Sequence, residues 1–178
     1  MIAVHDGVLA DPAAYRRAAL TLPFQSVDVG HAVFHGIAPC LDPTVRDWLE
    51  ATYPDLVVTL TFFRQSPAGQ VEPNDIHTDG DMGDVTALLY LTPDPPPGDG
   101  TAFWADRAEG RRWSDTVVAG AAGADRAAWR CWRTVAAAFN RAVVFDAPLL
   151  HSRALHENYG TGDDARLIQV VFARRRGI

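Results

Sequence analysis

Two kinds of hydrophobic pattern follow one another along the chain. Residues 11–20 and 42–51 each open with Asp-Pro, a pair suited to the N-cap and first turn of a helix, so two short helices are predicted. From Leu56 onward the chain changes to short β-branched and aromatic runs bounded by turn residues, which are typical of strands. The pattern therefore predicts a few N-terminal helices followed by a series of strands.

The predicted strands are short and separated by turn signals. Residues 85–91 are almost entirely apolar, so this strand is expected to be buried on both faces. Residues 93–100 are rich in Pro, Asp and Gly and predict a loop. The full set of predicted strands is 56–63, 85–91, 101–104, 142–146 and 167–173. This arrangement predicts a mainly β fold, a sandwich or barrel, with helices packed on the outside.

One segment, residues 105–140, is too long for a turn between two of these strands. Within it, residues 125–139 carry Trp129, Trp132, Val135 and Phe139 near helical spacing, with Asp125 as an N-cap candidate. We predict a helix there, with these apolar side chains facing the core.

Composition restricts the chemistry that the chain can perform. Its 178 residues are 48% hydrophobic and 21% charged, as expected for one globular domain. All 16 basic residues are Arg, and the absence of Lys excludes Schiff-base catalysis, a phosphate-loop lysine and protein-kinase chemistry. The net charge of −6 argues against a nucleic-acid partner.

The location of the protein is expected to be cytoplasmic. The two cysteines, Cys40 and Cys131, are far apart and indicate neither a disulfide framework nor a zinc ribbon. No apolar run approaches the length of a membrane span, and the N-terminus lacks the pattern of a signal peptide. No membrane partner is therefore expected, and the sequence does not indicate an oligomeric state.

The candidate chemistry begins at His77 and Asp79. On a strand, residues i and i+2 project from the same face, so an imidazole and a carboxylate would lie side by side. Together with a distant His they would form the 2-His-1-carboxylate triad that holds Fe(II). His151, after the predicted strand 142–146, qualifies, and His156 is a weaker alternative in a polar loop. A surface-turn role for His77 and a structural role for His151 remain alternatives.

Arg166 opens the last apolar strand. A buried charge needs a partner, because leaving it unpaired is costly. An anionic co-substrate is one candidate, since a guanidinium matches a carboxylate in bidentate geometry. One of the 18 Asp residues is the alternative. Arg153 lies closer to His151 but in a predicted turn, so it ranks below Arg166.

Five linked motifs raise the specificity of this interpretation. They read, in order, IHTDGD, VTALLYLT, PPPGDGTAFW, APLLHS and ARLIQVVF, within residues 60–173. With them the chain resembles the Fe(II)/2-oxoglutarate-dependent oxygenases, most closely the prolyl-hydroxylase-like branch, whose fold is the double-stranded β-helix or jelly roll. The resemblance implies one domain over 1–178, with helical support in 1–55 and a jelly-roll core in 56–173 that carries 105–140 as an insertion.

The resemblance also implies roles for individual residues. His77, Asp79 and His151 would bind the iron, Arg166 would pair with the distal carboxylate of 2-oxoglutarate, and Thr101 would hydrogen-bond that co-substrate. The related branch often uses Lys in the Arg166 role, and this chain has none. Two features depart from the pattern. Asp stands at position 99 where the family has the first of two glycines, and Arg166 lies unusually far beyond the distal His.

The implied activity is oxidation, by hydroxylation in the first instance, of a small molecule, amino acid or peptide-type substrate. 2-Oxoglutarate and O2 would be converted to succinate and CO2. The carboxylate of Asp79 argues against halogenation, because halogenating relatives lack it. We further hypothesise that 105–140 covers the pocket mouth and helps to bind substrate. Two rival functions remain, a cupin-like metal-dependent dioxygenase or isomerase without 2-oxoglutarate and a non-catalytic module that binds a metal or small acid.

Overall fold

Two antiparallel sheets form the framework of the protein. The computed structural model describes residues 1–30, 32–114 and 121–177. Its strands are β1 (Ile2–Asp6), β2 (Gln25–Asp28), β3 (Val33–Pro39), β4 (Leu56–Ser66), β5 (Val85–Tyr90), β6 (Gly100–Asp106), β7 (Trp129–Ala136), β8 (Arg141–Asp146), β9 (His151–Arg153) and β10 (Arg166–Arg175). In the described chain, the larger sheet has seven strands in the order β1-β8-β5-β10-β4-β3-β2, and the smaller has three in the order β7-β6-β9.

Within the described residues, three helices accompany the sheets. They are α1 (Pro12–Leu20), α2 (Thr44–Thr52) and the short α3 (Ala121–Ala124), and 3-10 turns cover Arg126–Ala128 and Gly162–Asp164. The Asp-Pro signal is confirmed at α1, where Pro12 begins the helix and the Asp11 carboxylate accepts a hydrogen bond from the Ala14 amide. The second helix, α2, begins at Thr44, so Pro43 lies at the N-cap position just before the helix rather than in its first turn. The side chain of Pro43 makes no capping hydrogen bond.

An apolar core joins the two sheets face to face. Phe103 of the small sheet meets Phe145 of the large sheet edge-on, with ring centroids 5.2 Å apart. The same cluster takes Val135 from β7 and Phe172 from β10. Burying a side chain of this size stabilises the fold by about 1.5–3 kcal/mol. The predicted mainly β fold with flanking helices is confirmed, in its jelly-roll form.

The outer face of the large sheet carries the helices. Leu49 of α2 and Ala19 of α1 pack in one cluster with Leu167 and Val171 of β10. Side chains alternate along a strand, so the even-numbered residues of β10 point the other way, toward the core between the sheets. Arg166 is in phase with these inward positions, and the strand is buried from Arg166 to Ala173.

The strand predicted to be buried on both faces is confirmed as a central strand. Five of the six residues of β5 are buried, and β5 lies between β8 and β10. The N-terminal region, in contrast, contains more than the predicted helical support. It supplies β1, β2 and β3 at the two ends of the large sheet. These strands are short and partly exposed, so their sequences lack the long apolar runs that mark a central strand.

The helix predicted over residues 125–139 is wrong. Asp125 does cap a 3-10 turn, but Trp129–Ala136 is strand β7, paired with β6. The register shifts at Trp132, where a bulge interrupts the alternation of side chains. Trp129 packs on one face of the small sheet, while Trp132 and Val135 pack on the other. The three-residue spacing of Trp129, Trp132 and Val135 matched the period of a helix, but it arises from a strand with a bulge.

The segment 105–140 is part of the sheet framework rather than an addition to it. It ends β6, forms β7 and leads to β8, and residues 115–120 within it lie outside the described residues. Across the described chain, no helix has the length and apolar character needed to cross a membrane.

Candidate functional site

Three side chains that are distant in sequence converge at the edge of the small sheet. The Nε2 atom of His151 lies 3.3 Å from one carboxylate oxygen of Asp79, and the Nε2 atom of His77 lies 3.6 Å from the other. The three donor atoms all lie within 4.8 Å of one another. In the described part of the chain, this is the group of His and acidic side chains whose geometry could hold a metal ion.

Backbone hydrogen bonds bring the three residues together. His77 and His151 exchange two amide-to-carbonyl bonds of 2.9 Å each, so the loop that carries His77 is attached to β9. The amide of Asp79 donates to the carbonyl of Ala147 at 2.9 Å. His77 therefore forms an isolated bridge rather than part of a longer strand, but its i, i+2 relation to Asp79 still directs both side chains to one point.

Both imidazole rings are oriented by main-chain acceptors. The Nδ1 of His77 lies 2.8 Å from the carbonyl of Asp75, and the Nδ1 of His151 lies 2.9 Å from the carbonyl of Leu149. A carbonyl only accepts, so Nδ1 carries the proton and the lone pair of a neutral ring is on Nε2, the atom facing Asp79. Metal-binding histidines in proteins are held by such contacts.

The electrostatics of the group keep Asp79 ionised. Burial raises the pKa of Asp79, but the attraction and hydrogen bond of His151, the charge of His77 and a hydrogen bond from Thr86 outweigh burial and hold the pKa at about 2. Burial and repulsion from His151 lower the pKa of His77. Burial also opposes protonation of His151, but Asp79 outweighs it and raises the pKa of that ring.

A cavity of about 800 Å³ opens beside the three residues, and its wall is mainly apolar. It is lined by the His-Asp-His group, by Thr101 and by three arginines, Arg64, Arg153 and Arg166. Both sheets therefore contribute to one cavity that is large enough for a co-substrate and a further small molecule.

Arg166 forms a buried ion pair with Asp99. Its Nε donates to Asp99 at 3.2 Å, and both side chains are almost fully buried. Asp99 also accepts hydrogen bonds from the Tyr159 hydroxyl at 2.7 Å and from the Gly100 amide at 2.7 Å. Burial and Asp99 raise the pKa of Tyr159, so this hydroxyl remains a donor. Among the described residues, neither Nη group of Arg166 has a hydrogen-bond acceptor.

The turn that carries Asp99 depends on Gly100. This residue has a φ of 146°, and a Cβ there would lie 2.0 Å from the carbonyl oxygen of Val135. The next residue, Thr101, is buried, and its hydroxyl lies 2.6 Å from that of Tyr90. Burial raises the pKa of Tyr90 to about 12, so its hydroxyl is protonated at neutral pH.

The structure separates the leading candidates from the alternatives. His156 has an exposed side chain, and its Nδ1 lies 3.6 Å from the carboxylate of Asp75, which is not part of the His-Asp-His group. His156 itself does not belong to that group. Arg153 lies on β9, where its guanidinium donates to Asn158 and to the carbonyl of His156 and approaches Glu72 at 4.0 Å.

Sequence reasoning missed the groups that hold the candidate residues in place. Thr86 donates to Asp79 at 2.9 Å, and Tyr159 donates to Asp99. Arg126 binds the Asp75 carboxylate through two 2.7 Å hydrogen bonds. The one available signal was Asp99 itself, which stands where the related family has Gly.

The hypothesis that residues 105–140 line the substrate site is not supported by the cavity. None of the described residues in 105–114 or 121–140 lines it. The wall facing the His-Asp-His group is instead built by β2, β3 and β4 together with β5 and β10. The described part of this segment packs beside the loop of His77, where Gly123 accepts a hydrogen bond from the Ile76 amide.

Comparison with known proteins shows the fold. No protein-family model and no curated protein sequence matches the chain. The solved structures that match include the epimerase SnoN in complex with Fe3+, alpha ketoglutarate and nogalamycin RO (TM-score 0.59, 14% identity, 99% of this chain and 81% of SnoN). HygX from Streptomyces hygroscopicus, with nickel and 2-oxoglutarate bound, matches with a TM-score of 0.54 and 16% identity over 96% of this chain and 81% of HygX.

A third solved structure extends the same relation. EvdO2 from Micromonospora carbonacea var. aurantiaca, complexed with 2-oxoglutarate, matches with a TM-score of 0.55 and 13% identity over 97% of this chain and 85% of EvdO2. The resemblance seen in the sequence is thereby confirmed at the level of the fold. The chain has the fold of the Fe(II)/2-oxoglutarate-dependent oxygenases, and it carries a His-Asp-His group able to hold a metal ion.

Proposed function

We propose that the protein is a non-heme Fe(II)- and 2-oxoglutarate-dependent dioxygenase that oxidises a small molecule. One observation carries this proposal. A His-Asp-His group and a buried arginine with two unpaired Nη groups line the same cavity, in a fold shared with enzymes of this class.

The donor set fits Fe(II). Two neutral imidazoles and one carboxylate, grouped on one side, are the facial set that non-heme Fe(II) oxygenases use, and it leaves coordination positions open. In this proposal His77, Asp79 and His151 hold the iron, which supplies O2 activation coupled to the conversion of 2-oxoglutarate to succinate and CO2. The chain itself orients the rings through the carbonyls of Asp75 and Leu149 and keeps Asp79 ionised.

The co-substrate is proposed to bind between the metal group and Arg166. The two free Nη groups of Arg166 match a carboxylate in a bidentate geometry. Asp99 holds the guanidinium through Nε and leaves the Nη groups available. We propose a further hydrogen bond to the co-substrate from Thr101, which lines the cavity and whose hydroxyl contacts that of Tyr90.

We propose that the chain works as one oxygenase domain. Strands from residues 25–39 and the last strand, Arg166–Arg175, line a single cavity, which supports a joint role. Hydroxylation is the outcome that we propose, with desaturation and cyclisation distinguished by analysis of the product. A location in the cytoplasm remains a prediction from the sequence.

The decisive experiment adds Fe(II) to the protein without oxygen and then adds 2-oxoglutarate. We expect a weak metal-to-ligand charge-transfer band in the visible, followed by succinate formation once O2 is admitted. Metal binding without the band would contradict the proposal and favour a cupin-like enzyme. A band without succinate across a broad substrate screen would instead favour a non-catalytic module.

A second prediction concerns the clamp on the His77 loop, made by Arg126 and Asp75. Arg126 binds the carboxylate of Asp75, and the backbone carbonyl of Asp75 accepts a hydrogen bond from His77 Nδ1. Arg126 acts one step beyond this outer contact of the ligand, so replacing Arg126 with Met should weaken metal binding by up to about tenfold, the lower end of the effect of losing such a contact. Anaerobic titration with Co(II) measures this affinity.

Arg130→Met is the matched control, because Arg130 is an exposed arginine on the neighbouring strand β7. It should bind metal like the wild type. Thermal denaturation of both variants separates positioning from stability. A lower melting temperature for Arg126→Met with unchanged Co(II) affinity would contradict the positioning role.

A further inference from the structure

The wall of the cavity that faces the His-Asp-His group is more apolar than the region around Arg166. Along β4, the alternate residues Leu60, Phe62 and Arg64 line it, as side-chain alternation requires. Strands β2 and β3 add Val27 and Phe34, which lie opposite each other in the pairing of the two strands. This part of the cavity is therefore mainly apolar, and Arg64 is the charged residue that the described parts of these strands add to it, beside the neutral Gln25, Thr61 and Ser66.

Arg64 is only partly satisfied by its protein contacts. Its Nη2 donates to Glu72, and its guanidinium lies 5.3 Å from the centre of the Phe34 ring. The Nε atom is buried without a hydrogen-bond partner, and the bond from Nη2 to Glu72 is the hydrogen bond that the guanidinium makes among the described residues. Buried donors in native proteins are normally paired, so an unpaired one beside a cavity indicates a missing acceptor.

The local charge points to an acidic acceptor. Glu72 is shared between Arg64 and Arg153, and it also accepts hydrogen bonds from Asn158 and Gln70. Burial raises the pKa of Glu72, but Arg64 and these contacts outweigh it, so the carboxylate stays ionised. Two guanidiniums share Glu72 here, and the other anion that attracts Arg64 is Asp79, which the proposed function assigns to the metal. An acidic oxygen would therefore meet a charged donor in a mainly apolar cavity.

We infer that the substrate of the proposed dioxygenase is a largely apolar small molecule with an acidic oxygen, bound along β2, β3 and β4 with that oxygen at Arg64. This inference rests on the proposed function for its reaction, but the binding chemistry stands on the cavity wall alone. Apolar contacts supply most of the affinity, and Arg64 fixes the orientation of the molecule relative to the metal group.

The test uses two fluorescent probes of similar shape. 1-Anilinonaphthalene-8-sulfonate is apolar with an acidic group, and N-phenyl-1-naphthylamine lacks the acid. Both are titrated into protein loaded with Ni(II) and 2-oxoglutarate, with near-ultraviolet circular dichroism as the check on folding. We expect both probes to bind, and Arg64→Met to weaken the sulfonate probe about tenfold, the cost of losing one charge-assisted contact, while the neutral probe is unaffected.

Matched variants separate the apolar wall from general surface effects. Leu60 and Val57 are similarly exposed on β4, at 43% and 39%, but only Leu60 lines the cavity. Leu60→Asp should weaken both probes, whereas Val57→Asp should weaken neither. The exposed Arg46, which pairs with Asp47, gives the matching arginine control, Arg46→Met.

Several results would overturn the inference. Neither probe binding to the wild type would exclude an apolar site, and an equal effect of Arg64→Met on both probes would exclude recognition of the acid. A 2-oxoglutarate requirement that rises in Arg64→Met as much as in Arg166→Met would assign Arg64 to the co-substrate instead. Probe binding without a charge-transfer band would leave this site intact and contradict the proposed function, so the two failures are distinguishable.

Discussion

Replacing Asp79 with Asn is expected to weaken Fe(II) binding at least about 100-fold and to stop succinate formation, since loss of an outer contact alone costs roughly 10- to 100-fold in metal affinity. Asp79 is the one anionic member of the His-Asp-His group. The amide retains the shape and can still accept the hydrogen bond from Thr86, but it brings no charge to the metal. Anaerobic calorimetry with Fe(II) and an assay for succinate measure the two effects.

The control for this experiment lies two residues further along the same loop. Asp81 is exposed at the cavity and lies outside the His-Asp-His group, so Asp81→Asn should keep metal binding and turnover. The backbone bond from Asp79 to Ala147 is unaffected by the substitution, so Asp79→Asn should remain folded. Wild-type Fe(II) affinity in a folded Asp79→Asn protein would refute the proposed metal centre.

Replacing Arg166 with Met is expected to raise the concentration of 2-oxoglutarate needed for half-maximal turnover at least about 30-fold, while the requirement for Fe(II) changes little. Removing one partner of a buried, hydrogen-bonded charge pair costs about 2–5 kcal/mol in binding. Arg166 is the arginine of the cavity with both Nη groups unpaired among the described residues. Titration of the charge-transfer band with 2-oxoglutarate measures the binding step directly.

The partner of Arg166 complicates the single substitution and also supplies its control. Arg166→Met leaves Asp99 as a buried charge with Tyr159 and Gly100 as its contacts, which destabilises the fold. The double variant Arg166→Met, Asp99→Asn removes both charges and should fold better, yet still require excess 2-oxoglutarate. Arg153→Met, at another arginine of the same cavity, should leave the 2-oxoglutarate requirement near that of the wild type. The opposite ranking of Arg153 and Arg166 would refute the assignment.

Part of the site was predictable because its chemistry is local in sequence. The spacing of His77 and Asp79 places two ligands at one point through strand geometry, and this holds although His77 forms only an isolated bridge. Arg166 was predictable from the cost of a charge at the start of a buried strand. Its partner was left open between a co-substrate and an Asp, and the structure provides Asp99. The proposed co-substrate would use the remaining Nη groups.

Other parts depend on contacts between distant segments. Trp129, Trp132 and Val135 predicted a helix because a bulge in β7 separates them by three residues, and pairing with β6 decides the outcome. Strands β2 and β3 have weak signals of their own, since their residues are partly exposed at the edge of the sheet. A role in substrate binding was instead predicted for residues 105–140, because that segment is too long for a turn, and none of its described residues lines the cavity.

The sequence by itself determined the mainly β fold class, the central strands and the pairing of His77 with Asp79, because each follows from short-range patterns. The choice of His151 as the third candidate ligand and the jelly-roll form came from the resemblance to a known family. Absence of Lys also restricts any cationic contact with a co-substrate to Arg. Only the tertiary structure decided which groups face one another: Asp99 with Arg166, Arg126 with Asp75, and Arg64 with an apolar wall. These pairs join residues from separate strands and loops, and such contacts depend on sheet order and register, which no local pattern encodes.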